Sequence, residues 1–341
     1  MSIGDTMKTL PFTHLGDIPV EQFLAEYWQK KPLIIRQALP DFESPITPDE
    51  LAGLALEEEI ESRLIEEQRD KGTWDLRSGP FTEEDFSHLP ESHWTLLVQA
   101  LDQWTDGLGD LMDKFRFVPN WRLDDIMVSY ASDHGSVGPH FDYYDVFLLQ
   151  GHGQRLWQLG PRCDAQSPLL ENSPLSILKN MEVTDEHLLN PGDILYVPPQ
   201  FAHHGRAVGE SITYSIGFRA PSEADILSDF ALEVASKLSA DQRYSDAHLK
   251  LAKHPGEIPD DAIEQIKRII TEHLNEPKAL ADWFGRYMTQ RKYPDLEITD
   301  HQQELSPLEL QQILAEGGIL YRHPASRFAW HRHTPQDLHL Y

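Results

Sequence analysis

The chain of 341 residues holds a single cysteine, Cys163. No intramolecular disulfide is possible, which fits a reducing compartment. The opening MSIGDTMKTLPFTHLGDIP has no basic n-region followed by an apolar h-region, and no apolar run approaches membrane-spanning length. A soluble, cytoplasmic protein with no membrane partner is the expectation. Positive charge is scarce: 29 Lys and Arg stand against 56 Asp and Glu, a net charge of −27. Such a field repels phosphate, so direct binding to bare nucleic acid is not expected, whereas a basic protein or peptide partner is allowed. No internal repeat or low-complexity segment is present.

What is there suggests two or three domains with a substantial core. The first segment mixes helix and strand. PVEQFLAEYWQ, opened by Pro19, reads as a short helix, and PLIIRQA (32–38) as a buried strand. Thr47-Pro48-Asp49-Glu50 starts another helix, and the charge run from Glu57 to Glu61 reads as a solvated face. HWTLLVQALDQW (93–104) has helical spacing and is expected in the core.

From about residue 121 to 221 the texture turns to β. Candidate strands are 125–131, 144–150, 154–160, 193–199 and 211–218. Gly135 to Gly138, Gly151-His152-Gly153, Pro191-Gly192-Asp193, Pro198-Pro199 and Gly209 separate them. Short strands without intervening helices point to a barrel or jelly roll. After Pro221 the chain becomes helical. Ser222 and Asp225 frame a capping box, and isoleucines 263, 266 and 270 line one helical face. A second capping box, Ser306 to Glu309, opens a helix that ends at Gly317-Gly318. ILYRHPASRFAWHRH then reads as strand, turn, strand, consistent with part of a winged helix.

The stretch GPHFDYYDVFLLQ (138–150) carries the chemistry. On a strand His140 and Asp142 would share a face. A third ligand is offered by His203 or His204 in PGDILYVPPQFAHHGRAV; adjacent residues point oppositely, so only one can join. Two histidines and a carboxylate with open positions match the facial triad of non-haem Fe(II) oxygenases. Zn²⁺ would suit the same donors, and spacing alone leaves a metal-free site open. Arg155 falls on the face of Trp157 and Leu159, where a guanidinium needs an anion. That anion is either a structural carboxylate or the far carboxylate of 2-oxoglutarate, the co-substrate of such oxygenases. Thr213 and Ser215 are candidate hydroxyl contacts to it, beside their reading as ordinary strand hydroxyls. Asp133, in SDHGSVG, is the candidate acidic contact for a cationic substrate, or simply an exposed loop aspartate.

The motifs G-P-H-F-D-x-Y-D-V-F-L-L-Q-G-x-G-x-R-x-W, P-G-D-I-L-Y-V-P-P-x-F-x-H-x-G and Y-S-I-G-F-R-A-P resemble the JmjC-type ribosomal oxygenases, most closely the bacterial ribosomal-protein arginine hydroxylases. EYWQKKPLIIRQALPDF and PITPDELAGLALEEEIESRLI resemble that family too, so the likeness runs from about residue 20 to the C-terminal helices. The resemblance implies an α+β chain: a double-stranded β-helix (cupin/JmjC jelly roll) core, a helical dimerisation domain and a partial winged helix. It implies domains 1–220, 221–300 and 301–341, the last looking short. It implies Fe(II), 2-oxoglutarate and O₂, with the metal on His140, Asp142 and His203 and the 2-oxoglutarate cation at Arg155. His203 is preferred to His204 because P-P-x-F-x-H ends there. The implied reaction is hydroxylation of an arginine in the sixteenth large-subunit ribosomal protein by a homodimer. Competing readings are a related oxygenase acting on a protein histidine, an RNA or a small molecule, and a non-catalytic cupin binding module. Intact His140, Asp142, His203 and Arg155 weigh against the last.

Overall fold

Turn signals divide the β region into short strands, but two of those divisions are bends inside long strands. Val146–Arg162 runs unbroken through Gly151-His152-Gly153, and Phe201–Phe218 runs through Gly209. Their pairing shifts register between Val208 and Ser211 and between Ile212 and Thr213, so the ribbon turns without leaving the sheet. At Gly153, with φ +63°, a Cβ would lie 1.9 Å from the Glu210 carbonyl, so the bend tolerates no side chain there.

The computed structural model describes residues 10–251, 254–294, 305–319 and 322–341. They fall into two compact units. Unit one takes the chain to Ala220 together with Tyr293–Ser326, and unit two takes Pro221–Lys292 with Arg327–Tyr341. The N-terminal half of unit one contains β1 (His14–Leu15), β2 (Ile18–Pro19), α1 (Val20–Glu26), β3 (Leu33–Ile35), α2 (Pro48–Leu54), β4 (Ser62–Gln68), β5 (Thr73–Ser78), α3 (Glu83–Ser87), β6 (Trp94–Val98) and α4 (Leu108–Asp113). Then come β7 (Leu123–Ala131), β8 (Val146–Arg162), β9 (Asp185–Leu189), β10 (Ile194–Val197) and β11 (Phe201–Phe218). Unit two holds α5 (Glu223–Ser236), α6 (Asp260–Leu274) and α7 (Pro277–Thr289); α8 (Pro307–Ala315) lies in unit one, and the hairpin β12 (Trp330–Thr334) and β13 (Asp337–Leu340) in unit two.

Among the described residues the main sheet is antiparallel, in the order β3-β10-β8-β11-β7-β6-β4-β5, with β9 beside β8. This is the jelly-roll core expected from the sequence. Alternation along β11 sets its two faces. Ile212, Tyr214, Ile216 and Phe218 join the large core with Phe147, Leu149 and Phe23. On the other side a smaller apolar cluster holds Val146, Leu148, Trp157, Leu159, Leu195 and Val197. Ser211, Thr213 and Ser215 alternate with the large-core residues of β11, so they turn away from that core.

Residues 93–104 form β6 and a short 3₁₀ turn at Leu101–Gln103 rather than the expected helix. Leu96 and Val98 enter the large core, while Leu97 packs with Ile65 and Trp74 on the opposite face. A strand buried on both faces reads as a continuous apolar run, which helical spacing imitates. β4 and β5 carry too many charges to stand out in the sequence; Arg77 pairs with Glu66 at 3.2 Å and Asp85 at 2.8 Å there.

In unit two, the Ser222–Asp225 capping box starts α5 as expected. Phe230 packs 5.0 Å from Trp283 of α7, whose Nε1 donates to Asp229 at 2.6 Å. The expected hairpin lies further on: Trp330–Thr334 pairs with Asp337–Leu340, turning at Pro335-Gln336. Pro335 presets φ for the first turn position, and the chain also turns at Pro324-Ala325, where Ser326 N donates to His323 O at 2.9 Å, without forming a strand pair among the described residues. Residues 320 and 321 of the expected first strand lie outside the described residues. No helix among the described residues is long and apolar enough to cross a membrane.

Candidate metal centre

His140 and Asp142 do not lie on a strand; β8 begins only at Val146. An isolated antiparallel bridge does the positioning instead. His140 N donates to His203 O at 3.0 Å, and His203 N donates to His140 O at 2.8 Å. The two rings therefore stand side by side, 4.2 Å between centroids. Gln200 N donates to Asp142 O at 2.6 Å, which holds the third residue against the entry to β11.

The ring chemistry follows from the backbone. His140 Nδ1 lies 2.9 Å from Gly138 O, and His203 Nδ1 lies 3.0 Å from Phe201 O. A carbonyl can only accept, so each Nδ1 carries the proton and each Nε2 keeps its lone pair. Both Nε2 atoms lie 3.7 Å from Asp142 Oδ2. That spacing is too long for a hydrogen bond and short enough for one ion to touch all three. Burial pushes His203 down to about 4, with His140 adding to the effect, so its imidazole is neutral as a metal ligand must be. A borderline two-nitrogen, one-oxygen donor set with backbone-oriented rings fits a divalent first-row metal.

Arg155, on β8, is 3% exposed. Its Nη1 reaches Ser129 Oγ at 3.5 Å and its Nη2 reaches Gly205 O at 3.3 Å, while Nε is buried with no partner. Burial alone pulls its pKa below the ordinary range. Among the described residues no carboxylate pairs with it, so no structural salt bridge there anchors this guanidinium. Trp157 spans the gap to the histidines: its ring lies 5.1 Å from the Arg155 guanidinium carbon and 5.9 Å from the His203 ring. A buried cation lacking an anion, beside three metal-type donors, fits an anionic co-substrate that chelates at one end.

Thr213 is buried and donates to Gln150 Oε1 at 3.2 Å. It pairs with Ser129 of β7, whose hydroxyl accepts from Arg155, and Ser215 lies two positions along the same face, half-buried. His204 turns the other way, as alternation requires, and its Nε2 is buried without a partner. Burial and then Arg206 push it down to about 4. Asp133 is not in the cluster. Its Oδ1 accepts from Gly209 N at 2.8 Å, tying the Gly-rich loop to the bend in β11. Asp145, the second aspartate of the motif, is held by Tyr196 Oη at 2.6 Å and Gln29 Nε2 at 2.9 Å and braces the core.

Three residues of this site escaped sequence reasoning: Ser129, Gln150 and Gly205. Gly205 had a signal. An isolated glycine in a strand marks a close approach, and here a Cβ would lie 2.6 Å from Arg155 Nε and 2.7 Å from Trp157. Its lack of a side chain is what leaves room for the guanidinium and the indole.

A jelly roll that brings two histidines and one carboxylate beside a buried arginine defines a metal-dependent oxygenase of the JmjC type. A JmjC domain model matches residues 110–226, and a ROXA-like winged-helix model matches residues 272–341. The ribosomal protein uL16 3-hydroxylase of Escherichia coli (strain K12) is 38% identical over 88% of this chain and 79% of that protein. A probable ribosomal oxygenase of Haemophilus influenzae is 37% identical over 92% of this chain and 78% of its own length. Escherichia coli YcfD, a ribosomal oxygenase solved with cobalt and 2-oxoglutarate, superposes with a TM-score of 0.81 at 35% identity, over 96% of this chain and 85% of that one. The chain belongs to the JmjC-domain ribosomal oxygenase family.

Proposed function

We propose that this chain is an Fe(II)- and 2-oxoglutarate-dependent hydroxylase of an arginine side chain in ribosomal protein uL16, working in the cytoplasm. The observation that carries the reading is the His140, Asp142 and His203 cluster beside Arg155, a buried cation with an unpartnered Nε. Likeness to the Escherichia coli ribosomal protein uL16 3-hydroxylase supports the substrate. So does the chain's net charge of −27, which suits a basic partner.

His140, Asp142 and His203 would hold the iron. Bound iron supplies the chemistry that couples loss of CO₂ from 2-oxoglutarate to insertion of one oxygen atom of O₂ into a C–H bond. The chain's own residues do the rest. The carbonyls of Gly138 and Phe201 hold the two imidazoles in the tautomer that offers Nε2. Arg155 takes the far carboxylate of 2-oxoglutarate, with Ser129, Thr213 and Ser215 offering hydroxyls along the same face. Val146, Leu148 and Trp157 keep water from that end, where exclusion strengthens every charge contact. Asp133 is our candidate for meeting the substrate guanidinium.

The half-exposed line Ile263, Ile266 and Ile270 supports a homodimer through the α6 region. Light scattering should give twice the chain mass; a monomeric mass would remove that part of the proposal. The main test incubates the protein with Fe(II), 2-oxoglutarate, air and unmodified uL16. Mass spectrometry should find one added oxygen on an arginine, absent with Asp142→Ala. Conversion of 2-oxoglutarate to succinate without uL16 modification would keep the oxygenase and reject the substrate. Neither reaction, with iron bound, would favour a binding module.

A further inference from the structure

We propose that Asp282, His333 and His339 form a second metal site, in unit two, that takes a divalent ion of the zinc class through two imidazole nitrogens and a carboxylate oxygen. Helix α7 presents Asp282, and the C-terminal hairpin presents both histidines toward it. The donor atoms of all three lie within 4.8 Å of one another. The site is sheltered but reachable: the His333, Asp282 and His339 side chains are 11%, 24% and 32% exposed.

Hydrogen bonding alone leaves this cluster badly matched. Asp282 Oδ1 lies within hydrogen-bonding distance of three polar atoms at once: His333 Nε2 at 3.1 Å, His339 Nδ1 at 2.9 Å and Tyr341 Oη at 2.6 Å. One carboxylate oxygen has two lone pairs, and the tyrosine hydroxyl takes one of them, so it does not serve both rings well. His339 sharpens the mismatch. Its Nε2 lies 3.0 Å from Asp337 Oδ1, so both ring nitrogens face carboxylates. A neutral imidazole has one N–H. If that proton goes to Asp337, Nδ1 turns a lone pair toward Asp282, and two negative ends meet unless a cation lies between them. Carboxylate, histidine and metal in that order is the usual way a ligand ring is oriented. Asp337 thus plays the part that backbone carbonyls play for His140 and His203.

The donor set selects the ion. Imidazoles are poor partners for Ca²⁺ or Mg²⁺, whereas two imidazoles and a carboxylate suit Zn²⁺, with the remaining position open to solvent. The ligands come from α7 and from a hairpin 51 and 57 residues further along the chain. A bound ion would clip the C-terminal hairpin to α7 and make that part of unit two depend on metal.

The test uses the full-length chain stripped by chelator and carrying Asp142→Ala, which disables the first cluster. Zinc alone is titrated by calorimetry. One zinc per chain is expected. Adding His339→Gln should abolish that event, and adding Asp337→Asn should weaken it about tenfold to a hundredfold. Tyr341→Phe keeps all three ligands and should keep the zinc. Should His339→Gln fail to fold, the Asp142→Ala chain itself decides: zinc must protect His333 and His339 from diethyl pyrocarbonate in peptide mass spectra. No zinc uptake by the Asp142→Ala chain, uptake indifferent to His339→Gln, or unprotected histidines would each overturn the proposal.

Discussion

In unit one, Asp142 Oδ2 stands 3.7 Å from both histidine nitrogens, whereas in unit two Asp282 draws His333 and His339 to 3.1 and 2.9 Å. The residue types are the same, and the difference lies in what holds the rings. Backbone carbonyls take the Nδ1 protons of His140 and His203, so neither ring has a donor left for Asp142 and the gap stays open. In unit two a side chain, Asp337, faces the far nitrogen of His339, and Asp282 Oδ1 sits within hydrogen-bonding distance of both rings and of Tyr341 Oη. Backbone partners fix a ring more rigidly than side-chain partners do, so the first cluster holds its ligand atoms further apart.

Removing the open cluster's carboxylate breaks the comparison hardest. Asp142→Ala should cut uL16 hydroxylation at least about a hundredfold and lose iron by metal analysis, while leaving zinc uptake by unit two intact. Next comes the arginine. Arg155→Ala should raise the KM for 2-oxoglutarate about thirtyfold or more, as expected where one partner of a buried charge pair is truncated, with iron content unchanged. Gly205→Ala pushes a Cβ against Arg155 and Trp157. It should raise the same KM about tenfold and destabilise by about 1–3 kcal/mol, read from urea melts.

Acid should separate the two clusters without mutation. His203 and His204 are held down to about 4 by burial, against an ordinary 6.5. Both are neutral in the folded metal-free chain between those values and protonated once unfolded. Unfolding then takes up protons, so stability is intact above the ordinary value and falls as pH drops toward 4. Thermal melts of the metal-free chain across that window should show unit one weakening; a flat profile would refute it. The smallest effect belongs to Asp133→Asn, which keeps the acceptor for Gly209 N but removes the charge. The KM for uL16 should rise by no more than about fivefold, the range of an exposed ion pair.

Much of the site was legible because its signals are local. His140 and Asp142 are two apart, and the family motif ends at His203, the histidine that lies with them in the cluster. Arg155 stood out as a charge in an apolar alternation. His140 and Asp142 come together without the expected strand: a bridge to His203 places His140, and Gln200 N places Asp142 through its carbonyl. Ser129 and Gln150 were hidden because a polar residue on a strand is ordinary until its cross-strand neighbours are known. The helix expected at 93–104 failed because burial on both faces of a strand erases the period that tells strand from helix.

Composition and local pattern determined, without any coordinates, the acidic surface, the jelly-roll class, the capped helices and the residues with metal-binding chemistry. Each rests on charge, period or spacing within a few residues. Tertiary structure alone decided which nitrogen of His140 and of His203 is free, that no carboxylate among the described residues pairs with Arg155, that two apparent turns are bends, and that Asp282 meets His333 and His339. Those outcomes depend on partners far along the chain, and a sequence does not show which of its many polar groups will be brought within hydrogen-bonding distance.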